Sequence, residues 1–122
     1  MAMQGLSVLI CDDSMLIRKK LRELLEENGC QVLEAQNGVE CVNVYRESKP
    51  AAVFMDIVMP QSDGLQALRQ IKEFDPKAKI IMLSSTGTAA KLVEALKSGA
   101  VDFIQKPYEK DQIINALTKA IQ

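Results

Sequence analysis

The chain has 122 residues, 48% of them hydrophobic, with 15 basic against 16 acidic side chains and a formal net charge of -1. That length fits a single domain over residues 1–122, and the near-balance of charge excludes the basic surplus expected of a nucleic-acid binder. There is no histidine, which rules out histidine acid–base catalysis, a phosphohistidine on this chain and the commonest metal ligand; chemistry must rest on carboxylates, hydroxyls and lysine.

The start, Met1-Ala2-Met3-Gln4-Gly5, lacks the basic region and apolar core of a secretory signal. No later run approaches the roughly 20 apolar residues of a membrane span, so a cytoplasmic protein without a membrane partner is expected. Leu6 to Cys11 reads as the first strand and ends at the acidic pair Asp12-Asp13. Ser14 then caps a helix with Ile17, Leu21, Leu24 and Leu25 on one face, Arg18, Lys19, Arg22 and Glu26 on the other, and Asn28-Gly29 as its stop. Gln31 to Ala35 is a second strand, polar enough for a sheet edge. A helix over about Gly38 to Ser48 carries Val39, Val42 and Tyr45 at helical spacing before Pro50.

The third strand, Ala52 to Asp56, is apolar until its last residue, and a third helix from about Gly64 to Phe74 uses Leu65, Leu68 and Ile71. Lys79 to Ser84 is the fourth strand. A helix over about Ala89 to Ser98, with Leu92, Val93 and Leu96, ends at Gly99, which suits a left-handed cap. Val101 to Gln105 is the fifth strand, followed by Lys106-Pro107 and a last helix over about Glu109 to Ile121 with Ile113, Leu117 and Ile121. Strict alternation with short loops predicts an α/β fold, a parallel sheet with five helices spread over both faces. The three cysteines, Cys11, Cys30 and Cys41, form no metal-ligand spacing and read as reduced thiols, Cys11 within the core. Met15, Met55, Met59 and Met82 are expected in core or rim packing.

Parallel strands carry their carboxyl ends to one edge, where open α/β sheets bind ligands. Asp12, Asp13 and Asp56 would meet there with Ser84 and Lys106. Two carboxylates about 5 Å apart repel by roughly 3 kcal/mol at an effective dielectric near 20. Three together call for a divalent cation, and all-oxygen ligands favour Mg²⁺, which bridges carboxylates to phosphate. An acidic pair after a strand is commonly just a helix cap, but Ser14 already fills that place. Asp56 between Met55 and Ile57 is harder to dismiss, since an unpaired buried carboxylate is costly. Asp63-Gly64 reads as a structural turn.

Asp12-Asp13 after strand one, Asp56 after strand three with Met59-Pro60-Gln61-Ser62-Asp63-Gly64 behind it, Ser84 after strand four and Lys106-Pro107 after strand five resemble the receiver domain of two-component response regulators, over nearly the whole chain. The resemblance implies the flavodoxin-like (CheY-like) doubly wound five-stranded sheet of order 2-1-3-4-5. It implies that Asp56 is the phosphoacceptor for a sensor histidine kinase or small phosphodonor, and that Asp13, Asp56 and the backbone carbonyl of Val58 hold Mg²⁺ directly, with Asp12 acting through water. Lys106 would grip a phosphate oxygen across a cis peptide to Pro107. Ser84 would swing toward the phosphate and Phe103 turn inward, reshaping the face of helix four, strand five and helix five. On general grounds Phe103 is more often a core residue than a switch; the resemblance brings the two readings level. Val58 and Thr86 stand where relatives tune phosphate lifetime; an apolar Val58 orients no water, so slow to moderate self-dephosphorylation is expected.

Asp75-Pro76-Lys77-Ala78-Lys79-Ile80-Ile81, Ser84-Ser85-Thr86-Gly87 and Gly99-Ala100-Val101-Asp102-Phe103 resemble chemotaxis-type receivers more than transcriptional ones. The resemblance then implies a monomer whose partners are a histidine kinase, an effector such as the flagellar motor switch, and a phosphatase. Three other readings stay open: a receiver severed from a DNA-binding regulator, a phosphate sink with no effector, and a Mg²⁺-dependent phosphatase with an aspartate nucleophile. The last fits poorly, because such enzymes of the haloacid dehalogenase superfamily place a D-x-D nucleophile pair after the first strand.

Overall fold

The short apolar runs become strands and the amphipathic segments between them become helices: β1 (Ser7–Cys11), α1 (Met15–Glu27), β2 (Gln31–Ala35), α2 (Gly38–Ser48), β3 (Ala52–Asp56), α3 (Gly64–Phe74), β4 (Ile80–Ser84), α4 (Ala89–Lys97), β5 (Asp102–Gln105) and α5 (Lys110–Ile121). The computed structural model describes residues 3–59, 64–85 and 89–122, the side chain of residue 89 excepted. All strand pairs are parallel, in the order β2-β1-β3-β4-β5, the flavodoxin-like arrangement that the resemblance implied. Two features explain it. The central strands β3 and β4 are buried at every position, as a sheet covered on both faces requires, and the two more polar strands, β2 and β5, take the edges.

Alternate residues of each strand feed opposite cores. Val8, Ile10, Phe54, Ile81 and Leu83 pack with Leu21 and Leu25 of α1 and Ile113 and Leu117 of α5. Leu9, Val53, Met55, Ile80 and Met82 pack instead with residues of α2, α3 and α4, among them Val42, Leu68 and Leu92. Local signals hold the helix ends where they were predicted. The Ser14 hydroxyl accepts from the Ile17 N–H at 3.3 Å, and Gly99 closes the turn after α4 at φ +110°, a conformation glycine adopts freely. The three cysteines are buried free thiols. A hydrogen bond with Cys41, together with burial, pushes the Cys11 thiol far above its ordinary range, and it donates to the Asn37 carbonyl at 3.4 Å.

Five side-chain expectations fail. Met15 is not packed but 74% exposed, because it opens α1 on the side away from both sheet cores. Arg18, expected on the solvent face, is buried. Val39 is exposed on α2 while Gly38, Cys41, Val42 and Tyr45 are buried. At ~100° per residue a spacing of i, i+3, i+6 drifts by roughly 60° at each step, and Val39 falls off the buried stripe. On α4 the buried stripe runs through Leu92 and Ala95, and Val93 and Leu96, about 100° and 40° round the helix from Leu92 on the side away from Ala95, face outward.

Candidate functional site

The chain leaves β1 along a tightly specified path. Asp12 N–H donates to the Ala35 carbonyl at 3.1 Å, extending the β1–β2 ladder by one rung. Asp12 Oδ1 then accepts from the Ser14 N–H at 2.9 Å, a local turn typical of aspartate that starts α1. The result places the two acids differently: Asp12 is buried, whereas Asp13 faces solvent. Asp56 arrives from the next strand. It ends fully buried β3 opposite Leu83 of β4, and its Oδ1 accepts from the Val58 N–H at 3.3 Å. Carboxylate oxygens of Asp12, Asp13 and Asp56 lie within 4.8 Å of one another.

Lys106 reaches this cluster from the far side. Its backbone N–H donates to the Ser84 carbonyl at 2.6 Å, its peptide to Pro107 is cis, and its Nζ lies 3.2 Å from Asp12 Oδ2 and 3.4 Å from Asp56 Oδ2. Burial pushes the Asp56 carboxyl above the usual aspartate value; the Lys106 charge opposes this, Asp12 adds to it, and the Val58 N–H opposes it again. One lysine stands against three carboxylates. The remaining negative charge, gathered on oxygen atoms alone, is the donor set that suits a hard divalent cation. Beside it, Ser84 Oγ is buried with no hydrogen-bond partner among the described residues. Buried hydroxyls are normally paired, so Ser84 stands out among the described residues at this edge of the sheet.

The sequence-predicted residues therefore meet, with differences of detail. Asp12, Asp13, Asp56 and Lys106 share one cluster, and Ser84 ends β4 next to it by the bond from Lys106. The side chain of Val58 is exposed, and the ring of Phe103 on β5 is 40% exposed. Thr86 and the Pro60-Gln61-Ser62-Asp63 part of the motif lie outside the described residues.

Three further residues shape the site. A Cβ on Gly64 would lie 2.2 Å from the Asp56 carbonyl oxygen; only glycine lets α3 begin this close to the acceptor strand, where the Gly64 N–H donates to the Ile57 carbonyl at 2.7 Å. Reading Gly64 as part of a turn missed that steric reason. Tyr108 is pushed up to about 12, by burial first and then by the charges of Asp12 and Asp56, and its adjacency to Lys106-Pro107 was the available signal. Arg18 donates to the Asp12 carbonyl at 2.8 Å, and nothing in the local pattern marked it out among the neighbouring lysines.

Comparison with known proteins agrees with this geometry. Residues 8–118 match the family described as response regulator receiver domain. The chemotaxis protein CheY of Listeria monocytogenes is 46% identical over 116 residues, covering 94% of this chain and 98% of that protein. The chemotaxis protein CheY of Thermotoga maritima is 44% identical over 116 residues, 94% of this chain and 97% of its own. A solved response regulator receiver domain protein from Clostridium thermocellum superimposes with a TM-score of 0.92 at 30% identity, covering 95% of this chain and 94% of that one.

Proposed function

The chain belongs to the response regulator receiver domain family, and we propose that it is a phospho-accepting regulator of a two-component system in which Asp56 takes the phosphoryl group. The observation that carries this reading is the meeting of Asp12, Asp13, Asp56 and Lys106 at one sheet edge, beside the unpartnered Ser84 hydroxyl. Receivers of this kind are signalling proteins rather than turnover enzymes.

An Asp56 carboxylate oxygen attacks the phosphorus of a histidine kinase's phosphohistidine. A P–O bond forms as the P–N bond breaks, and the electron pair leaves with the imidazole nitrogen. Lys106, already between Asp12 and Asp56, moves its charge onto a phosphoryl oxygen. Asp13, Asp56 and the Val58 carbonyl would hold Mg²⁺, with Asp12 acting through water; bound there, the ion offsets charge on the transferring phosphoryl oxygens. The Ser84 hydroxyl then donates to another phosphoryl oxygen, and the half-exposed Phe103 ring turns into the space it leaves. Val93, Leu96, Val101 and Phe103 are exposed apolar residues of α4, β5 and the turn between them; the switch reshapes this face, with α5 beside it, for an effector.

The likeness to chemotaxis proteins over nearly their whole length supports a role in chemotaxis; the fuller proposal is one cytoplasmic, monomeric receiver over residues 1–122, with the flagellar motor switch as effector and a phosphatase as terminator. The exposed Val58 side chain supplies no group to orient water onto the phosphorus. Self-dephosphorylation should therefore take longer than a few seconds at room temperature, to be checked by following decay after donor removal.

The test is intact-mass analysis after incubation with acetyl phosphate and Mg²⁺. One phosphoryl group per wild-type chain and none on Asp56→Asn is the expected result. Equal uptake by the Asn variant, or multiple turnover of the donor with no stoichiometric adduct, overturns the reading.

A further inference from the structure

We infer that Arg18 is a positioning residue for the acidic site, acting through the backbone of the Asp12–Asp13 peptide; the inference rests on the cation-binding reading of those acids. The side chain of Arg18 is only 10% exposed, and its two ends do different work. Its Nε donates to Glu34 Oε1 on edge strand β2 at 2.9 Å. One terminal nitrogen donates to the Asp12 carbonyl at 2.8 Å, in a buried bond. Glu34 is itself fixed from a second side, because Arg22 donates to its other carboxylate oxygen. The guanidinium is thus locked by the forked geometry that arginine alone supplies.

The carbonyl it holds is the one that matters for Asp13. Asp12 is restrained through its N–H by Ala35, through Oδ1 by Ser14 and through Oδ2 by Lys106. Asp13 has no such restraint: its exposed carboxylate makes no hydrogen bond or ion pair among the described residues. The direction of the Asp13 side chain follows from the plane of the peptide joining it to Asp12, and Arg18 holds the oxygen of that plane. Outer groups of this kind set the geometry of metal ligands and contribute substantially to affinity.

Charge and position make opposite demands here. A guanidinium near three carboxylates opposes a cation by Coulomb repulsion, so removing it tightens cation binding if charge is its only influence. If it positions Asp13, removing it weakens binding. Mg²⁺ alone is the probe, titrated calorimetrically into the full-length wild type, Arg18→Met and Arg18→Lys, with folding checked by circular dichroism. Arg18→Met should bind about tenfold more weakly despite losing a positive charge. Arg18→Lys, which keeps the charge and folds readily but lacks the fork, should fall between the two. The rate of phosphoryl uptake from acetyl phosphate should recover in both variants at saturating Mg²⁺, which a general loss of structure does not allow. Wild-type-like or tighter Mg²⁺ binding by Arg18→Lys or a folded Arg18→Met overturns the role of Arg18 alone. Absence of Mg²⁺ binding by the wild type overturns the reading of the site as well.

Discussion

At one edge of the sheet, β2 is tied to α1 by Arg18 and Arg22, which share the carboxylate of Glu34, and the tie continues into the Asp12 carbonyl. At the other edge, β5 and α4 leave Val93, Leu96 and Phe103 in solvent, and α4 meets α3 through the exposed ion pair Arg69–Glu94 at 3.2 Å. Both regions use arginine and glutamate, yet only Arg18 of the first is largely shielded from water; exposed pairs contribute about 0–1 kcal/mol. The difference separates two tasks. On the proposed function, the acids that present a fixed geometry sit against a cross-braced corner, whereas the face proposed to change sits on a short helix with a thin buried stripe. Elements of the second kind are the ones that open at low free-energy cost.

The contrast is most easily broken at Gly64. Adding a methyl group there forces α3 off the Asp56 carbonyl, and Gly64→Ala should lower stability in urea unfolding by about 1–3 kcal/mol, the range of core overpacking. An unchanged midpoint contradicts the close-packed account of the acceptor strand. Next is the strain within the acid cluster. An acid whose folded pKa is raised stabilises the fold below its unfolded value and loses that contribution as pH rises through the folded value. Asp56 is raised from 3.8, so in chelator its contribution should decline as pH climbs from there. Asp56→Asn should flatten that decline and be the more stable protein at neutral pH, by thermal melts across the range. A wild type more stable than the variant at pH 7 without cation shows the opposite sign. Least affected should be the α4 face: Leu96→Ser and Val93→Ser should shift unfolding free energy by less than about 0.5 kcal/mol and leave phosphoryl uptake intact, while weakening capture by a motor-switch peptide.

How much of this was readable from the chain depended on whether the signal was local. Strands and helices showed in the periodicity, because apolar runs and amphipathic stripes are properties of neighbouring residues. Asp12, Asp13 and Asp56 showed because carboxylates interrupt apolar runs at strand ends. Arg18 did not, since beside Lys19 and Lys20 it looks like any solvated helix face; its partner Glu34 comes near only through the parallel register that pairs Ile10 with Glu34. Gly64 was misjudged for a related reason, as the carbonyl that excludes a side chain there belongs to another element. Leu92 and Leu96 have the same spacing whether a residue ends in the core or on a docking face, so the outward turn of Leu96 needed the packed helix.

The account's central claim is that charge placed on Asp56 is felt at the α4–β5 face. Amide chemical-shift mapping of the ¹⁵N-labelled protein, with Mg²⁺ and with or without excess acetyl phosphate, reads this directly. The account predicts large shifts at residues 56–59, at Ser84 and along α4 and β5, little change along α2, and no donor-dependent shifts in Asp56→Asn. Shifts confined to the surroundings of Asp56, or the same α4–β5 changes in the Asn variant, would contradict it.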